Sequence, residues 1–199
     1  MSGLAFAALT TLLLAPPAVA RQDPPTGPVT IEPVVVNGSG CPPGTTRIAV
    51  APGNTSFTVS YREFTARIGG DSLPYDRRKL CQLNLDVHIP DGYTYGLRRA
   101  DHLGSAALTA GTTGTLRGTY YFAGVPTPPE TVHAFRGPLD GGWTAGADVG
   151  QIAYKPCGLK GNLNLKAETR LATSAPADVS TLTLDSSTYH FAWRTCPRR

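Results

Sequence analysis

The chain is poor in charge. Only 16% of its 199 residues are Asp, Glu, Lys or Arg, and the formal net charge is +4. A positive excess this small and scattered falls short of the clustered positivity of a nucleic-acid binder, so no nucleic-acid partner is expected. No apolar run is long enough for a spanning helix, which removes a membrane span from the mature chain. G-x-S-x-G and H-E-x-x-H are both missing, which removes the commonest serine-hydrolase and zincin readings. The four cysteines form no C-x-x-C pair and no Cys/His run, so the ligand spacing of a zinc ribbon or finger is absent too. No motif implies a cofactor. Long helical periodicities are also absent.

The composition that remains has 22 Gly and 18 Pro, with short β-prone runs between them. This composition points to an all-β chain rich in turns. The first twenty residues, MSGLAFAALTTLLLAPPAVA, carry an apolar run from Leu4 to Leu14, then Pro16-Pro17, then Ala18-Val19-Ala20. Small residues at the −3 and −1 positions before Arg21 predict signal-peptidase cleavage after Ala20 and an extracellular, secreted product. The expected organisation is a signal peptide over 1–20, an arm and first strand over 21–39, and a β-sandwich domain over 40–199. RQDPPTGP is expected to be a flexible arm.

All four cysteines, Cys41, Cys81, Cys157 and Cys196, fall beyond that cleavage point. An even number in an exported chain reads as two disulfides. Three pairings are open, and loop length favours Cys41–Cys81 with Cys157–Cys196, since each closes a loop of about 40 residues within one half of the chain.

Among the strands, CQLNLDVH is the clearest, with Cys81, Leu83, Leu85 and Val87 on one face and Gln82, Asn84, Asp86 and His88 on the other. NLNLKAETRL repeats the pattern downstream. SFTVSYREFTARI alternates from Phe57, Val59 and Tyr61 to Phe64, Ala66 and Ile68, a change of parity that predicts a bulge or bend near Arg62-Glu63. VTIEPVVV reads as an edge or broken strand because of Pro33. The segment DGYTYGLRRADH reads as a hairpin or corner, VGQIAY as a further β-prone run, and GGWTAG as a glycine-rich loop. Many short strands between turn signals argue for a single antiparallel β-sandwich, jelly-roll-like or another Greek key.

The candidate chemistry is thin. Asp86 and His88 are two apart on a strand, so their side chains point the same way from Cα atoms about 6.5–7 Å apart. With Gln82 and Asn84 they form a row suited to a sugar, or to a metal given a third ligand. The plain reading is the wet face of a strand whose other face is dry, and the alternation rule favours it. Paired carboxylates for glycoside hydrolysis would be sought first among Glu63, Asp86, Asp101 and Asp148. Sparse acids, mostly in turns, make an enzyme the lesser reading. Arg77-Arg78-Lys79 and Arg98-Arg99 are the densest basic stretches; they suit either an acidic polymer or strand-edge protection. Trp143 suits either an exposed stacking surface or a loop anchor, whereas Phe191 and Trp193 read as core. Sequons occur at Asn37 and Asn54.

Several short motifs occur in a fixed order. They are GCPPGT at 40–45, RRKLCQLNLDVHIPDGYTYGL at 77–97, TYYFAG at 119–124, RGPL at 136–139, PCG at 156–158 with LNL at 163–165, LDSS at 184–187, and W-x-x-C from Trp193 to Cys196. This series resembles the secreted domain-of-unknown-function family 4360 of fungi and bacteria, over nearly the whole mature chain. The resemblance implies an exported, disulfide-containing β protein and transfers no catalytic residue. Where such proteins often carry D-x-R-G after the corner, Asp101-His102-Leu103-Gly104 stands here. The functional expectation is a non-catalytic secreted module that binds a cell-wall, cell-surface or environmental polysaccharide. The alternatives are a secreted hydrolase of a glycan or similar polymer, and a metal- or small-molecule-binding protein that uses the Asp86/His88 row.

Overall fold

The computed structural model describes residues 22–126, 130–174 and 178–197. The expected signal peptide lies outside the described residues. Eleven strands run in order: β1 (Thr30–Asn37), β2 (Thr46–Val50), β3 (Ser56–Tyr61), β4 (Thr65–Ile68), β5 (Arg78–His88), β6 (Tyr93–Leu108), β7 (Thr112–Phe122), β8 (Thr131–Arg136), β9 (Leu139–Asp148), β10 (Leu163–Thr173) and β11 (Ser180–Thr195). Among the described residues the only helical element is one short 3-10 turn, Pro52–Asn54. No helix among them is long and apolar enough to cross a membrane.

The strands form two antiparallel sheets, one ordered β1-β5-β10-β7-β8 and the other β2-β3-β11-β6-β9, with β4 also paired to β11. Set β1, β2 and β4 aside and the sheets read β5-β10-β7-β8 and β3-β11-β6-β9. This is the interleaved order of a jelly roll, in which the last strands return to the middle of each sheet. The two LNL segments lie side by side, Leu83 opposite Leu165 and Asn84 opposite Asn164.

Alternation decides which face is dry. Leu83, Leu85, Leu163 and Leu165 from the first sheet meet Phe57, Val59, Tyr95 and Phe191 from the second, all at most 3% exposed. Burying each of these large side chains contributes about 1.5–3 kcal/mol. The expected bend near Arg62-Glu63 separates β3 from β4, and β11 skips register beside it between Leu184 and Ser186. The parity change therefore keeps Phe64 and Ala66 in the same core as Phe57 and Val59.

Both favoured disulfides are present, Cys41–Cys81 with Cα atoms 5.4 Å apart and Cys157–Cys196 at 5.8 Å. The first ties the turn after β1 to the middle of β5; the second ties the β9–β10 loop to the end of β11.

Four local expectations are corrected. In DGYTYGLRRADH only Asp91-Gly92 makes the corner, between β5 in one sheet and β6 in the other. From Tyr93 the segment is the first part of β6, a 16-residue strand whose weak alternation comes from a bulge at Arg98. VGQIAY forms no strand; it opens the long β9–β10 loop and pairs through a single bridge, Gly96 with Tyr154. GGWTAG belongs to β9, paired with β6 along its length. Its outward positions are Gly142, Thr144 and Gly146, so the glycine-rich run that suggests a loop is a strand with a sparsely covered outer face. The described part of the arm, from Gln22, is held in place: Asn54 donates its side-chain amide to the carbonyls of Pro25 and Gly27, 2.8 Å each. Asn54 has φ 53°, a left-handed conformation that Asn tolerates better than most residues. The other sequon asparagine, Asn37, is exposed.

Candidate functional site

The polar row of β5 stands on the outer face of the five-stranded sheet, as its alternation requires. Two of its members pair with each other, and a third is engaged by neighbouring asparagines. Asn84 accepts from the Asn162 amide at 2.5 Å and donates to Asn164 at 2.8 Å, a closed set of amides. Asp86 and His88 lie 3.5 Å apart, both about half exposed, and no third ligand group joins them among the described residues. Gln82 is exposed at the other end. Trp143 turns inward from β9 and is 7% exposed; its ring packs 4.7 Å from that of Phe135. In this position it anchors the closed edge of the sandwich and offers no open face for stacking.

A concave surface lies elsewhere, on the outer face of the six-stranded sheet. A cleft of about 390 Å³ is lined by Arg99, Asp101, Thr144, Gly146, Ser186 and Thr188. A second, larger cleft of about 710 Å³, lined by Arg98, Asp148, Tyr154, Ala192 and Arg194 among others, lies on the other side of the Arg99–Asp148 pair, and the two together form a trough broken by that pair. Along β11, outward residues from Ser186 to Arg194 span about 27 Å at the usual rise per residue, room for several units of an extended polymer.

The centre of this trough is a charged cluster that the register assembles. Antiparallel pairing sets Arg99 of β6 between His190 of β11 and Asp148 of β9. Arg99 donates from Nε to both Asp101 oxygens at 2.8 and 3.0 Å, from Nη2 to the same carboxylate at 2.6 Å, and from Nη1 to Asp148 at 3.3 Å. His190 Nε2 meets the other side of Asp101 at 2.8 Å. The Arg99 guanidinium, with His190 assisting, holds the Asp101 carboxyl below the usual carboxylate range. Asp101 is therefore an acceptor, so His190 donates to it through Nε2–H. Gly146 leaves room for the pair, since a Cβ there would push aside the ends of the Asp101 and Arg99 side chains. Flanking hydroxyls are also ordered, with Thr58 and Thr188 sharing a hydrogen bond at 2.8 Å.

Of the four carboxylates singled out in the sequence, the fold brings Asp101 and Asp148 onto one guanidinium and leaves Glu63 and Asp86 elsewhere. His190, Tyr154 and Arg194 were not singled out. His190 had one legible signal, its outward parity between Tyr189 and Phe191 in YHFAW. The basic stretches do not form one patch: Arg78 pairs with Glu168 on the first sheet, and Arg99 with Asp101 on the second.

Among the described residues one Ser–His contact exists, His102 Nδ1 to Ser187 Oγ at 2.8 Å, but it lies between the sheets, with Ser187 fully buried and His102 3% exposed. A substrate has no route to that hydroxyl, so the pair supports no nucleophilic reading.

Comparison with known proteins agrees with the compartment. An uncharacterized secreted protein of Arthroderma benhamiae is 30% identical over 171 residues, which cover 82% of this chain and 70% of that protein. Solved structures are similar only at a distance. The Cry4Aa toxin of Bacillus thuringiensis has TM-score 0.32 and 10% identity over 85% of this chain, which spans 24% of the toxin. A family 11 carbohydrate-binding module of Clostridium thermocellum has TM-score 0.28 and 12% identity over 85% of this chain and 94% of the module. Likeness at such low scores carries no weight for function. The family model described as domain of unknown function, DUF4360, matches residues 27–196. With two disulfides, a β-sandwich and a secreted relative in place, the chain belongs to the DUF4360 family and is a secreted protein.

Proposed function

We propose that this protein is a non-catalytic module that binds an extracellular polymer, in the first place a glycan, in the trough across β11, β6 and β9. The observation that carries this reading is the trough itself. Two clefts of about 390 and 710 Å³ follow one another along it, with hydroxyls in their lining and a pre-arranged Arg99–Asp101–His190 cluster between them. Sugars are recognised by such fixed donors and acceptors in clefts of a few hundred Å³.

A hydrolytic reading has less support. Glycoside hydrolysis needs one carboxyl that keeps its proton near neutral pH. Asp101 is held in the opposite direction by Arg99 and His190, and Asp148 is bound to the same arginine.

The test is a glycan and polysaccharide array probed with the wild-type protein and with His190→Ala, Tyr154→Ala, His88→Ala and Gln82→Ala. Binding that weakens with the first two variants and survives the last two is the expected result. Loss confined to His88→Ala and Gln82→Ala would move the site to the five-stranded sheet. Absence of binding to every polymer would overturn the reading.

A further inference from the structure

Two arginines in the larger cleft are each held in place by a contact that leaves the guanidinium fork open. Arg98 occupies the bulge in β6, where pairing passes from Arg99–His190 to Leu97–Phe191 and leaves it without a partner residue. Bulges of this kind re-aim a side chain. Its Nε donates to the Phe191 carbonyl at 3.1 Å, which fixes the plane of the guanidinium and leaves both Nη groups for another acceptor. Arg194 projects from the same face of β11, its guanidinium carbon 3.7 Å from the centre of the Tyr154 ring. Stacking of this kind holds the fork rigid without consuming its hydrogen-bond donors.

Neither arginine has a carboxylate within ion-pairing distance among the described residues. Arg78, Arg99 and Arg117, by contrast, are paired with Glu168, Asp101 and Glu130. Both unpaired forks line one cleft, and of the two acids that share it, Asp148 is already bound by Arg99. A planar guanidinium with two free N–H groups matches a carboxylate bidentately, and a fork positioned beforehand loses little entropy on binding.

We propose that this end of the trough takes the carboxylates of a uronate-bearing polysaccharide, Arg98 and Arg194 each forming a charge-assisted pair with an acidic sugar while the hydroxyl-lined floor accepts the rest of the chain. The inference rests on the polymer-binding function proposed for the trough and names its ligand class. A uronate fits better than a nucleic acid because the floor beyond the arginines carries hydroxyls and Asp101, with no further row of cations to follow a phosphate backbone.

Titration calorimetry tests it, with polygalacturonate, the same polymer after reduction of its carboxyls, a neutral β-glucan, inorganic polyphosphate and single-stranded DNA as probes. Polygalacturonate is expected to bind, more weakly as NaCl rises, and its carboxyl-reduced form to bind at least tenfold more weakly. Arg98→Gln and Arg194→Gln should each reduce polygalacturonate affinity about tenfold, and Arg194→Lys should recover little of it. Unchanged melting temperatures confirm that the variants fold. Polygalacturonate binding that is unaffected when Arg98→Gln and Arg194→Gln are combined would overturn the proposal, as would equal affinity for the carboxyl-reduced polymer. Tighter binding of polyphosphate or DNA would overturn the uronate assignment. Binding of the neutral glucan without polygalacturonate would sink this inference and leave the glycan reading standing; no binding by any probe would end both.

Discussion

His102 sits where a charge is hardest to accommodate. It points from β6 into the sandwich, with His133 of β8 at a ring separation of 5.9 Å, Tyr189 of β11 at 6.4 Å and Ser187 bonded to its Nδ1. Burial, helped by His133 and opposed by Asp101, lowers its pKa to about 4. The unfolded chain therefore takes up this proton first, near pH 6.5, so the stabilisation is complete above that value and is lost as pH falls towards 4. From the size of the shift, roughly 3 kcal/mol should disappear across that window. His133 is lowered in the same direction, also by burial, and adds to the loss. Asp101 acts elsewhere: its lowered pKa gives stability that is lost only in more acidic solution. Urea midpoints measured between about pH 7 and pH 4 should fall, and His102→Gln should flatten the slope. A variant with the wild-type slope would assign the effect to another group.

Asn54 offers a second test at this scale. Asn54→Gly keeps the left-handed backbone but removes both bonds to the arm, at a cost of about 1–2 kcal/mol. Limited proteolysis should then cut near Pro25, while the exposed Asn37→Ala leaves stability and cleavage unchanged.

At the level of elements, the wall of the larger cleft depends on how closely the β9–β10 loop crosses β6. Lys155 N donates to the Tyr95 carbonyl at 2.9 Å, and Thr94 donates its hydroxyl to the Lys155 carbonyl. This crossing lies directly over Gly96, where a Cβ would meet the Ala153 carbonyl oxygen and an Ile152 methyl. Gly96→Val should lift the loop and speed amide exchange at Lys155 at least tenfold, with the β6–β11 ladder amides little changed. If Lys155 stays as protected as in the wild type, the loop does not depend on that close approach. Strand identity here was readable only in part. CQLNLDVH alternates cleanly because one face is dry and the other wet. β9 and the start of β6 were obscured, one by outward glycines and the other by the Arg98 bulge, which shifts parity within a single strand.

The whole molecule is a jelly roll closed by two remote disulfides, one at the β1–β5 edge and one at the end of β11. Their separations of 40 and 39 residues correspond to about 3–4 kcal/mol each in the loop-entropy treatment. Cys41→Ser with Cys81→Ser, and Cys157→Ser with Cys196→Ser, should each lower unfolding free energy by about that amount, and the two losses should add because the sites are far apart. Denaturant unfolding of the two double variants and of the quadruple variant measures this directly. A quadruple variant much less stable than the sum would show that the sites are coupled through the sheets.

Local chemistry and strand pairing decide different things in this protein. Period-two alternation, turn residues and cysteine spacing are properties of neighbouring residues, so the all-β class, the inward leucines of β5 and the disulfide pairing could be reasoned from the chain alone. The ordered motifs carried the family. The trough could not be reached that way. Asp101 and His190 are 89 positions apart, and Tyr154 meets Arg194 from a loop with no strand period. Their meeting depends on the register of β11 against β6 and on the bulge that turns Arg98. Register is a balance of packing across the whole sandwich, and only the folded molecule decides it.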